Sequence, residues 1–248
     1  MTGRLQGKRA LITGGGSGIG LAIAQRFAQE GAAVSVADRD EVGREVVEAS
    51  GCRFSVCDVS DADAVQAWID TEAETLGGVD VVVAGAGYEL VADALELSVE
   101  DWDRHQAVML RGVFVTFKFA LSHMMSTGGS LIAIGSNLAF AAIPRFTSYV
   151  AAKAGVIGLV RGLAVDYAQY DIRVNALSPG PTLTPLIERQ LIGAEDPQAL
   201  LDLWASDTIL KRLARPEEIT GGAVFLASED STYVTGSSLM VDGGYTAL

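Results

Sequence analysis

Three side chains in the second half of the chain have types and spacing suited to moving a proton: Ser136, Tyr149 and Lys153. Tyr149 and Lys153 stand four residues apart in an alanine-rich stretch, 148–170, that reads as a helix, so they share a face. A lysine ammonium beside a phenol favours the phenolate and draws its pKa from about 10 toward working pH. Tyr149 is thereby a candidate proton donor in reduction and acceptor in oxidation. Ser136 follows an apolar stretch, 130–134, read as a strand, where its hydroxyl could hold a substrate oxygen.

A second constellation lies near the start. Thr13 to Gly20 reads T-G-G-G-S-G-I-G between an apolar run, Ala10-Leu11-Ile12, and an amphipathic segment, 21–30. That order is strand, glycine turn, helix. Glycines permit a tight turn and close approach of backbone to a ligand, and the unpaired N–H groups of a helix start face a phosphate. The next strand ends at Asp38, whose carboxylate can accept both hydroxyls of an adenosine ribose and would repel a 2′-phosphate. This favours NAD over NADP, while the adjacent Arg39 leaves a guanidinium that could engage that phosphate. A third strand ends at Asp58-Val59, where carboxylate and backbone could meet an adenine edge.

Strand-like and helix-like stretches alternate almost throughout. Strands are expected at 8–13, 33–37, 53–57, 79–83, 130–134, 171–177 and 238–241; helices at 18–30, 41–50, 61–76, 99–125, 148–170 and 216–228. The stretch 181–215 is looser, with prolines at 181, 185 and 197 and two short amphipathic pieces. Repeated βαβ units imply an α/β fold: one doubly wound, Rossmann-like parallel sheet of about seven strands with helices on both faces. No linker or charge block marks a boundary, so 1–248 is expected to be a single domain. Ligands in such sheets bind beyond the carboxyl ends of the strands, and there the candidate residues fall.

Composition sets the outer limits. Apolar residues make up 49 % of the 248 and charged residues 20 %, enough for a sizeable core and too apolar for wholesale disorder. A formal charge of −13 argues against nucleic-acid binding, which needs a concentrated basic face. Cys52 and Cys57 have no metal-type spacing and read as small buried thiols; no metal is expected. The start is polar, with no apolar signal core, and no apolar run reaches membrane-spanning length. A cytoplasmic protein without membrane contact is the expectation.

These motifs together resemble the short-chain dehydrogenase/reductase family. The resemblance covers almost the whole chain and rests on 13–20, D-V at 58–59, Ser136, Y-V-A-A-K at 149–153, N-A-L-S-P-G at 175–180, T-L-T-P at 182–185 and V-D-G-G at 241–244. It implies NAD(P)-dependent interconversion of an alcohol and a carbonyl. By it, Tyr149 is the acid/base, Lys153 holds the nicotinamide ribose and tunes Tyr149, and Ser136 orients the substrate oxygen. The cofactor would lie along Gly14, Ser17, Gly18, Ile19, Gly20, Asp38, Arg39, Asp58, Val59, Ala84, Gly85, Ala86, Pro179 and Gly180. Backbone near Thr182 and the Thr184 hydroxyl would hold the carboxamide. Substrate contacts would come from Tyr88, Asn137, Leu138, Phe146, Pro181, Leu186, Ile187 and Trp204, mostly apolar, pointing to a small hydrophobic or aromatic alcohol–ketone pair. No arginine or lysine early in this loop obviously awaits a substrate carboxylate, though Arg189 could, so charged acids rank lower as substrates. The 181–215 stretch resembles the family's substrate loop, which closes over bound cofactor. The resemblance further implies a homotetramer through the helices at 99–125 and 148–170 and the C-terminal strand.

Two departures stand out. Ala84-Gly85-Ala86-Gly87 replaces the family's Asn-Asn-Ala-Gly, and Met109-Leu110-Arg111-Gly112 replaces its N-L-x-G. The family's Asn disturbs its helix and supports a water in the proton relay; a thioether, at best a weak acceptor, cannot do this. The proton would then leave by another route, through the ribose hydroxyl and Lys153, and turnover would be poorer. Two rival readings stay open: an NADPH-dependent 3-oxoacyl-thioester reductase, and a non-catalytic nucleotide-binding scaffold.

Overall fold

The computed structural model describes residues 3–248. The seven expected strands form one parallel sheet: β1 (Arg9–Thr13), β2 (Ala33–Asp38), β3 (Arg53–Val56), β4 (Val81–Ala84), β5 (Gly129–Ile134), β6 (Ile172–Pro179) and β7 (Ser238–Val241), in the order β3-β2-β1-β4-β5-β6-β7. Central strands such as β4 are apolar at every position because helices cover both faces. One core, built on Leu11, Val82 and Leu131, meets Val156 and Val160; the opposite core, on Ile12, Val83 and Ile132, meets Ile23, Phe27 and Val224.

Some helices start where the sequence supplies a side-chain cap. α1 (Gly18–Gln29) follows β1, and α2 (Arg44–Ala49) precedes β3. α3 (Ala62–Leu76) is capped by the Asp61 carboxylate, which accepts from Asp63 and Ala64 N–H at 3.0 and 3.1 Å, and stops at Gly77 with φ 77°. α4 (Val99–Gln106), capped by Ser98, leads through a π turn at Ala107–Arg111 into α5 (Gly112–Leu121). α6 (Thr147–Tyr167) precedes β6; α7 (Pro185–Ile192) and α8 (Pro197–Ser206) occupy the loose stretch; α9 (Pro216–Ala227) packs on α1.

Several boundaries differ from expectation. The fourth strand begins at Val81 rather than 79, and the helix expected over 41–50 opens with a 3-10 turn at Glu41–Gly43. The helix expected over 99–125 is interrupted at 107–111 and ends at Leu121. Cys52 and Cys57 are buried free thiols flanking β3, and burial pushes Cys57 up to about 11. The reading that no run reaches membrane-spanning length is corrected: Thr147–Tyr170 is long and apolar enough by length and composition. Its apolarity has another use here, since Ala152, Val156, Ile157, Val160 and Ala164 are buried against the sheet.

Candidate active site

Strand order reverses at β1, whose end, Thr13, lies in register with Ala84 at the end of β4. The crevice beyond this switch point is where an α/β sheet binds ligands. Gly14 turns there with φ 70°, and a Cβ on it would lie 2.5 Å from the Ala86 backbone nitrogen. A Cβ on Gly20 would overlap the Gly14 carbonyl oxygen, so the turn packs backbone on backbone. Gly18 has φ 54° and faces the Thr184 side chain, 3.4 Å from a Cβ built on it. Ser17 precedes α1 with no side-chain cap, which leaves the first N–H groups of Gly18, Ile19 and Gly20 to a ligand.

Asp38 closes β2 against this turn: Oδ2 accepts from Gly16 N–H at 2.9 Å and Oδ1 from Asp40 N–H at 3.3 Å. Arg39 is 65 % exposed and pairs with Asp40 at 3.4 Å, away from the turn. Asp58 spends Oδ1 on Ser60, accepting from its N–H and its hydroxyl, both at 2.8 Å; Val59 is buried against Gly112. Gly85 follows β4, and its N–H donates to the Thr13 carbonyl at 3.1 Å. Pro179 ends β6, Gly180 lies against Asp242, and buried Thr182 donates its hydroxyl to the Gly180 carbonyl at 2.9 Å. Thr184 caps α7 by accepting from Ile187 N–H at 3.4 Å, and its own hydroxyl hydrogen remains free to donate. A positive-φ glycine cradle that a Cβ would fill, an uncapped helix start and a ribose-height carboxylate fit a nicotinamide dinucleotide.

Ser136, Tyr149 and Lys153 meet beside this cradle. Ser136 caps the short turn Asn137–Ala139: its Oγ accepts from Leu138 N–H at 3.1 Å and donates to Asn137 Oδ1 at 3.2 Å. It also lies near enough to the Tyr149 phenol to lower its pKa. Lys153 is 5 % exposed; its Nζ donates to the Ile134 carbonyl at 2.7 Å and lies 5.7 Å from the Tyr149 ring centre. Burial pulls Lys153 down to about 8. The expected lowering of the phenol does not occur: burial pushes Tyr149 up to about 12, the nearby Ser136 hydroxyl opposes it only in part, and the Glu89 charge adds to it. The ammonium points at the Ile134 carbonyl rather than at the phenol oxygen, so desolvation prevails.

Among the expected substrate residues, Phe146 meets Tyr149 edge-on at 5.9 Å, and buried Asn137 and Leu138 flank Ser136. Tyr88 reaches the same cluster through His105, with ring centres 4.9 Å apart. Leu186 and Ile187 lie half-buried on α7 beside Thr184, Pro181 half-buried before them, and Trp204 half-buried on α8, which packs on α7.

Two residues there were not singled out from sequence. Glu89 is half-buried in the segment after β4, and burial raises its carboxyl even though Gln190 donates to it and the Arg189 charge opposes. His105 is fully buried and pairs with the residue next to Tyr149. Neither contact is local: Glu89 and Gln190 are 101 positions apart, so no short motif carries the signal. The disturbance expected to vanish with the family's Asn is present all the same, since Met109 lies inside the π turn.

The family model described as enoyl-(acyl carrier protein) reductase matches residues 14–246. The chain is 42 % identical over 246 residues to the cis-4-hydroxycyclohexanecarboxylate dehydrogenase of Sinomonas cyclohexanicum, covering 96 % of each. It is 38 % identical over 250 residues to the D-threitol dehydrogenase of Mycolicibacterium smegmatis, covering 98 % of this chain and 94 % of that one. A short-chain type dehydrogenase/reductase from Mycobacterium marinum superposes with a TM-score of 0.91 at 37 % identity, over 98 % and 97 % of the two chains. Levodione reductase superposes at 0.93 with 33 % identity, over 98 % of each. With its sheet order, glycine cradle and Ser–Tyr–Lys cluster, the chain belongs to the short-chain dehydrogenase/reductase family of oxidoreductases, which work with a nicotinamide cofactor.

Proposed function

We propose that this chain is an NAD-preferring oxidoreductase that interconverts a small, largely hydrophobic secondary alcohol and its ketone. The observation that carries this reading is the meeting of Ser136, Tyr149 and Lys153 beside the glycine cradle. A bound nicotinamide supplies or accepts the hydride. In reduction, Ser136 and the Tyr149 hydroxyl hold the substrate oxygen, and Tyr149, protonated throughout the neutral range, donates to it. The Lys153 ammonium offsets the charge left on the phenol and holds the cofactor's ribose.

Asp38 supports NAD, because a carboxylate fixed over Gly16 meets the ribose hydroxyls and repels a phosphate there, while Arg39 is engaged by Asp40. The first turn of α1 takes the pyrophosphate, Asp58 and Val59 the adenine edge, and Thr182 and Thr184 the carboxamide. Tyr88, Phe146 and Leu138 give the cleft its apolar lining. Relatives named as dehydrogenases of D-threitol and of a hydroxycyclohexane acid support alcohol oxidation as the reaction class. The same reading takes the chain as one catalytic domain, cytoplasmic and tetrameric.

The deciding assay follows NADH and NADPH oxidation against aryl ketones, cyclic diketones and 3-oxoacyl thioesters, with Tyr149→Phe alongside. NADH-linked ketone reduction, reduced at least about a hundredfold in the variant, is expected. Preference for NADPH would overturn the argument from Asp38. Turnover confined to thioesters would favour the acyl-thioester reading.

A further inference from the structure

Tyr88, the cleft-lining residue after β4, has both of its backbone polar groups held by side chains of one helix. Its N–H donates to Met109 Sδ at 3.3 Å, and its carbonyl lies 3.1 Å from His105 Nε2. A carbonyl only accepts, so Nε2 carries the hydrogen and Nδ1 is left with a lone pair. That lone pair accepts from the Ser148 hydroxyl at 2.7 Å. Gln106 Nε2 donates in turn to the Ser148 hydroxyl at 3.0 Å and to its carbonyl at 2.9 Å. The chain of donors runs one way only: Gln106 to Ser148, Ser148 to His105, His105 to Tyr88. Burial, together with the nearby Lys153 charge, keeps His105 in the neutral form this polarity needs, against the opposing pull of the Tyr88 carbonyl.

We propose that His105 and Met109 are positioning residues that set the width of the substrate cleft by tying its Tyr88 wall to Ser148 and Tyr149 in the first turn of α6. This rests on the oxidoreductase reading of that cleft. The residues brought together are not neighbours in sequence: His105 is 17 positions from Tyr88 and 43 from Ser148. The Tyr88 and His105 rings meet edge-on at 4.9 Å, and the His105 and Tyr149 ring centres are 6.4 Å apart, so the brace stands directly behind the acid/base. Met109 takes up a position where the family has Asn and gives it a different task, with the π turn at 107–111 carrying its sulfur beneath the loop. Gly87 permits the approach, because a Cβ on it would lie 2.8 Å from that sulfur.

The test is a double-mutant cycle of His105→Phe and Tyr88→Ala, with His105→Gln as the conservative variant whose amide N–H can still reach the Tyr88 carbonyl. His105→Phe is expected to raise ketone KM roughly tenfold with kcat within about twofold. The effect should vanish when Tyr88 is already Ala, and His105→Gln should recover most of it. Additive effects, or an unchanged KM, would overturn the proposal. A readout free of turnover is amide hydrogen exchange: Met109→Leu, which removes the acceptor of the Tyr88 N–H, should speed exchange at Tyr88 and leave Leu138, held by Ser136, unchanged. Equal exchange at Tyr88 in both proteins would also overturn it. Failure of the wild type on every ketone would sink the functional reading alone, and exchange at Tyr88 would still decide whether the brace exists.

Discussion

The proton inventory at Ser136, Tyr149 and Lys153 fixes how rate must depend on pH. Tyr149 lies at about 12 and Lys153 at about 8, both driven first by burial. A group with a raised pKa keeps its proton to higher pH, so Tyr149 is a ready donor across the neutral range. A group with a lowered pKa loses its proton early, so the Lys153 charge that steadies the phenolate disappears above about 8. Ketone reduction should therefore be flat from about pH 6 to 8 and fall above it, while alcohol oxidation, which needs the phenolate, should climb with pH. Initial rates in both directions between about pH 6 and 10 check this; reduction that peaks above 9, or oxidation that stays flat, contradicts it. Glu89→Gln removes a charge that raises Tyr149, so its oxidation limb should move to lower pH. That Tyr149 and Lys153 share a helix face was legible in the sequence, because a four-residue spacing dictates it. Their protonation was not. Spacing shows that Lys153 shares a face with Tyr149, but the burial of Lys153 and its hydrogen bond to the Ile134 carbonyl, 19 positions earlier, come from tertiary packing.

At the scale of elements, sequence reading located all seven strands and missed how one helix is built. Glycine turns are local, so the turn at 13–20 stands where residue type places it. The π turn at 107–111 has no such marker, and the substitution of Met109 for Asn even argued against a disturbed helix there. The bulge is instead a product of packing, with Met109 buried beneath Gly87 and Val59 against Gly112. Two glycines of opposite character make the packing argument measurable. Gly20→Ala drives a Cβ into the Gly14 carbonyl, so cofactor binding should be lost and Tm should fall. Gly221 sits exposed inside α9 with no atom within 4 Å of a Cβ, so Gly221→Ala should stabilise by about 0.5–1 kcal/mol and raise Tm by roughly 1–4 °C. Thermal unfolding with and without NAD reads both, and a neutral Gly20→Ala would contradict the backbone-contact account of the turn.

At the scale of the whole molecule, surface chemistry and net charge pull in opposite directions. The outer face formed by α4, α5 and α6 gathers Ala107, Leu110, Phe114 and Leu159 around one shallow concavity, and Phe114 keeps 44 % of its surface exposed. Farther along α6, Val165 is 81 % exposed. Contiguous apolar surface on a folded chain marks a contact site, and two such faces meeting about a twofold axis would cover it. At the far edge of the sheet, β7 pairs with β6 alone and is only half-buried, which offers a second contact. Against association stands a formal charge of −13 on every copy. Apolar burial is insensitive to moderate salt, whereas repulsion among exposed carboxylates is screened within about 10 Å at 0.1 M. A tetramer should therefore form at physiological ionic strength and loosen as salt is withdrawn. Phe114→Glu, which adds a carboxylate at the apolar centre, should dissociate the helix-face contact while leaving the circular dichroism of the chain intact. Light scattering across salt concentrations distinguishes the cases: a species at 25.9 kDa under all conditions would mean that these faces have no partner in a second copy.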